Sequence, residues 1–135
     1  MNDINESCGR GLERLKMLNS NSVESFQARL NSTHPALAKY IVEFAYGEVQ
    51  SRPGLDIKMR QIATISSLIC LGSAVRELKI HINNGLNVGI SQLEMEEIII
   101  HLCIYCGFPR SVSAMETALE VFADRALNRD KSAAV

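Results

Sequence analysis

The sequence has no block of basic residues: 14 Lys and Arg stand against 15 Asp and Glu, a net charge of −1. That balance gives no support to a nucleic-acid partner. It also lacks any apolar run near the roughly 18 residues needed to span a bilayer, and its polar start, MNDINESCGR, is unlike a signal peptide. A soluble, cytoplasmic protein with no membrane association is expected. The four cysteines, Cys8, Cys70, Cys103 and Cys106, fall mostly in apolar helical stretches, unlike a secreted disulfide framework. There is no Gly-rich phosphate loop, no nucleophile elbow and no stretch with strand alternation.

What is present is enough for a core. Hydrophobic residues make up 47% of 135 residues, which suits one domain over 1–135 and argues against global disorder. Its core is expected over about 9–127, with loose tails at 1–8 and 128–135.

The patterning predicts an all-α chain. Leu12, Leu15 and Leu18 recur at helical spacing over 9–18. A weaker helix is expected over 22–30. Thr33 can cap a third helix, with Pro35 in its first turn, running to about Val49. QSRPGLD is a loop. Asp56 can cap a fourth helix that turns Ile62, Ile65, Leu68, Ile69 and Cys70 inward and stops at Gly72. Ser73 can cap a fifth, ended by Gly89. Ser91 and Glu94 form a capping box for LEMEEIIIHLCIYC, which is apolar nearly all round in its later part and so suits a core or a subunit interface. Gly107 and Pro109 close it, and a last helix covers about 110–127.

The stretch ELKIHINNGLNVG places Glu77, His81, Gly85 and Gly89 at steps of four along one stripe. A carboxylate one turn before an imidazole can accept its ring N–H and favour its charged form, as proton transfer requires. A half-buried histidine beside a tight helix crossing gives the same pattern. Glu48 ends the third helix beside the RPGL loop, where it can reach a cleft or simply face solvent. Arg52 and Arg60 bracket that loop and can fork onto a carboxylate. His101, between Ile100 and Leu102, reads as a buried or interface residue. Cys103 and Cys106 make a CxxC in the last turn of an apolar helix, where the dipole disfavours a thiolate, so structural cysteines are expected. No residues at metal-ligand spacing stand out.

RGLERLKML, YGEVQSRPGLDIKMR, ELKIHINNGLNVGISQLEMEEI and IYCGFPRSVSAMETALEVF together resemble the carboxymuconolactone decarboxylase family, in order and spacing, over roughly 9–125. The resemblance implies an alkylhydroperoxidase-D-like bundle of six to seven helices, assembled as a homo-oligomer, a trimer or hexamer. It implies a carboxy-lyase of aromatic catabolism, in the β-ketoadipate pathway, that decarboxylates 4-carboxymuconolactone or a similar small lactone without cofactor or metal. His81 and Glu48 are then the catalytic candidates, and Arg52 or Arg60 the substrate clamp. Gln50 and Val88 depart from the family pattern, which often has an aromatic residue and an Asn there. The family's peroxidase relatives carry a CxxC where this chain has Ala74 and Glu77. The alternatives are a thiol peroxidase using Cys103 and Cys106, or a non-catalytic oligomeric relative.

Overall fold

The structure is a computed structural model describing residues 2–21 and 23–133. Met1, Ser22, Ala134 and Val135, which the expected tails and the start of the second helix include, lie outside the described residues. The described residues form seven α-helices, one π-helical segment and no strand. They fall into two compact units, Met1–Arg60 and Gln61–Val135.

The first unit contains α1 (Asn2–Asn19), α2 (Val23–Thr33), α3 (Pro35–Lys39) and a π-helical continuation of α3 (Tyr40–Val49). Leu15, Val23 and Val42 form its small core, with Cys8, Leu12 and Tyr46 against it. α1 and the π segment meet backbone to backbone. A Cβ on Gly11 would collide with the Val42 carbonyl, and one on Gly47 with the Ser7 carbonyl. Only glycine permits that approach. α1 starts at Asn2, so 2–8 are helical rather than a tail. Thr33 closes α2, and the cap position of α3 falls to His34, which makes no side-chain cap bond. The wide π turn shows at the exit, where Gln50 N–H donates to the Ala45 carbonyl five residues back (2.8 Å).

α4 (Ile57–Leu71) starts where Asp56 accepts from the Met59 amide at 2.8 Å. The second unit then holds α5 (Val75–Asn87), α6 (Gln92–Cys106) and α7 (Phe108–Ala133). Its core joins Ile65 and Ile69 of α4, Leu78 and Ile82 of α5, Met95 and Ile99 of α6, and Ala118 and Phe122 of α7. Gly72 and Gly107, both with positive φ, end α4 and α6. The capping box expected at α6 forms in full, from Glu94 N–H to Ser91 Oγ (3.1 Å) and from Ser91 N–H to Glu94 Oε2 (2.7 Å). The cap expected at Ser73 does not: the N-cap of α5 is Ala74, which has no side chain able to cap. α7 runs beyond the expected end to Ala133.

Candidate active site

His81 lies in the body of α5, one residue before the fully buried Ile82. The core therefore fixes its backbone and leaves the ring half-buried. Its Nδ1 lies 3.0 Å from Gln61 Oε1. A carbonyl oxygen can only accept, so Nδ1 carries the hydrogen and Nε2 is left to exchange protons. Burial lowers the His81 pKa, and the negative charge of Glu77 partly opposes this. The hydrogen-bond partner expected at Glu77 is thus Gln61, twenty residues earlier on α4. Glu77 is exposed and acts through its field.

Gln61 is fully buried, and its Nε2 has no partner among the described residues. A buried amide hydrogen-bonded on one side only is unusual, because an unmet donor costs about 1–3 kcal/mol. Sequence reading missed this residue. Its one local signal is a polar side chain on the inward stripe of α4, with Ile65 and Ile69 four and eight residues on.

Helix α5 is held on α7 by polar contacts. Arg125 Nη1 donates to Asn83 Oδ1 (2.6 Å) and Asn87 Oδ1 (2.8 Å), and Lys79 pairs with Glu120. Gly85 serves the core. A Cβ there would sit 3.0–3.2 Å from the side-chain ends of Ile90, Ile65 and Met95. Gly89 has open space around it and a φ of +95°, past the end of the helix, so of the two glycines on the His81 stripe Gly85 serves packing and Gly89 the turn.

In the first unit, Glu48 is exposed at the end of the π segment. The preceding Gly47 carbonyl accepts from Arg10 Nε (3.2 Å). The two candidate arginines differ. Arg60 donates to the carbonyls of Leu55 (3.2 Å) and Arg52 (2.7 Å), so its guanidinium braces the RPGL loop. Arg52 is exposed, and its side chain has no partner among the described residues.

The cysteines do not form the dithiol of the peroxidase alternative. Cys106 is disulfide-bonded to Cys70, with Cα atoms 5.1 Å apart, and Cys103 is free. The Cys103 thiol instead approaches the Ile99 carbonyl on its own helix (4.0 Å). A peroxidase dithiol made of Cys103 and Cys106 is therefore not the pair formed. His101 is exposed against Tyr105, with ring centroids 5.2 Å apart, rather than buried. Among the described residues no group of three or more His, Cys, Asp or Glu is placed to hold a metal ion, and no helix is long and apolar enough to cross a membrane.

Residues 35–120 match the model of the carboxymuconolactone decarboxylase family. A 4-carboxymuconolactone decarboxylase of Acinetobacter baylyi is 37% identical over 123 residues, covering 90% of this chain and 91% of that one. A nitrosuccinic acid decarboxylase of Metarhizium robertsii is 41% identical over 75 residues, 56% of this chain and 52% of that one. An uncharacterized 15.0 kDa protein of Paracoccus denitrificans is 28% identical over 105 residues, 76% of this chain and 78% of its own. The chain belongs to the carboxymuconolactone decarboxylase family.

Proposed function

We propose that the protein decarboxylates a small carboxylated lactone of the 4-carboxymuconolactone type. The observation that carries this reading is the 37% identity to a 4-carboxymuconolactone decarboxylase over nine tenths of both chains. The chemistry is economical. Breaking the bond to CO₂ sends its electron pair into the unsaturated lactone, and the charge comes to rest on the lactone oxygen. The substrate is its own electron sink, so the reaction asks for no cofactor or metal. It asks for a proton on carbon, donors for the oxygen and a cation for the remaining carboxylate.

His81 supplies the proton from Nε2 when the imidazole is charged. The Gln61 carbonyl holds Nδ1–H in either protonation state, which keeps the ring in one orientation. The lowered pKa makes the imidazolium a stronger acid. The unpartnered Gln61 Nε2 provides a donor beside the ring. Arg52 takes the carboxylate, while Arg60 shapes the loop that carries it. Glu48 returns a proton from solvent. The working form is a cytoplasmic homo-oligomer, a trimer or hexamer.

The test follows loss of the lactone absorbance and release of CO₂ from purified enzyme. Nitrosuccinate is assayed in parallel, because loss of the carboxylate beside its nitro group also leaves the charge on oxygen. His81→Ala is expected to stay folded and to lose at least about a hundredfold in turnover. Glu48→Gln should lose comparably if the carboxylate relays the proton. Full activity in His81→Ala refutes the mechanism, and a wild type inactive on both acids refutes the reaction.

A further inference from the structure

We propose that a second site, distinct from His81, binds a small cyclic monocarboxylate with its ring in a cavity and its carboxylate on Arg110. The cavity is half-open, measures about 150 Å³ and lies among the end of α4, the start of α5 and the start of α7. That is the volume of an apolar protein cavity that accepts a single benzene ring. Its inner wall is apolar, formed by Leu68, Ile69, Leu78 and Ala114. His81 and Gln61 take no part in the lining.

The cavity carries one cation. The Arg110 side chain lies across the turn at Gly72. A Cβ on Gly72 would meet its Nε at 3.2 Å and its Cδ and Cζ at 3.4 Å. With φ of +74°, Gly72 both makes the turn and leaves room for the guanidinium against the backbone. Arg110 is exposed and pairs with no acidic side chain among the described residues. An arginine fork with open donors beside an apolar pocket matches a planar carboxylate on a compact ring, bound bidentately. A phosphate, tetrahedral and more highly charged, would leave the pocket unfilled and want further donors.

The experiment is a benzoate titration of the intact protein, followed by the amide NMR signals of Val75, Leu78 and Ala114. Benzyl alcohol (ring without charge) and acetate (charge without ring) are the controls. Benzoate is expected to saturate, with its largest shifts at those three amides, and to do so equally in His81→Ala. Arg110→Met should bind at least about tenfold more weakly, the loss expected for one charge-assisted contact. Arg110→Lys, which keeps the charge without the fork, should fall between. Four results would each overturn the site: no saturation below about 10 mM, largest shifts elsewhere in the chain, unchanged affinity in Arg110→Met, or benzyl alcohol binding as well as benzoate. The outcome is independent of the decarboxylase reading, because none of these measurements uses turnover.

Discussion

In His81 two influences oppose each other: burial disfavours the charged ring and Glu77 favours it, and burial prevails. The consequence for turnover has a definite sign. If the imidazolium is the acid, kcat/KM declines above a pKa lying on the acidic side of the ordinary 6.5, by about tenfold per pH unit. The consequence for stability runs the other way. Between the folded and unfolded pKa values the unfolded chain binds more protons, so stability is lost as pH falls through that window and is complete above the unfolded value. Gln61 offers a sharper test. Gln61→Glu places a carboxylate on Nδ1–H and should move the falling limb of the pH–rate profile to higher pH, whereas Gln61→Leu should lower kcat without that upward move. A limb that stays put in Gln61→Glu would mean that Gln61 only fills space.

The crossing of α1 with the π segment depends on two glycines, and its strength can be measured. Gly47→Ala forces a methyl group against the Ser7 carbonyl and should destabilise by about 1–3 kcal/mol in urea unfolding. Gly54→Ala, with nothing within 4 Å of its new Cβ, should stay within about 0.5 kcal/mol of wild type. Equal effects at the two positions would contradict the packing account. These elements also show what a sequence reveals. The caps at Asp56 and at Ser91 with Glu94 were legible because both partners lie within one turn. So were the inward faces of Leu15, Ile65 and Ile69, whose spacing repeats the helical period. The start of α5 shifted by one residue because Ser73 suits a cap as a residue type while the chain turns at Ala74. Gln61 on His81 and Cys70 on Cys106 were not legible, since each pairing is decided by how helices pack across 20 and 36 residues. The π turn was hidden as well: Tyr40–Val49 carries side chains that suit an α-helix equally, and its bonding shows only in the backbone.

Across the molecule, the later turns of α6 and the start of α7 expose Ile104 (77%), Tyr105 (71%) and Phe108 (73%). Large apolar side chains crowded on one surface usually meet a partner. Light scattering at micromolar concentration should give a homo-oligomer, a trimer or hexamer, and Ile104→Glu should shift it toward smaller species; a wild-type monomer would refute this. The disulfide between Cys70 and Cys106 closes a loop of 36 residues, a constraint on the unfolded chain of about 3–4 kcal/mol. Thermal unfolding with a reductant should therefore begin at a lower temperature than without, and an unchanged midpoint would show that the bond adds nothing to stability. The same bond makes α5 part of a covalent ring. A protease that cuts once between residues 71 and 105 cannot release a fragment. Mass spectrometry should record the gain of a single water, and two peptides should separate only after a thiol is added. His81 thus stays covalently joined to both halves of the chain after a cut within that ring.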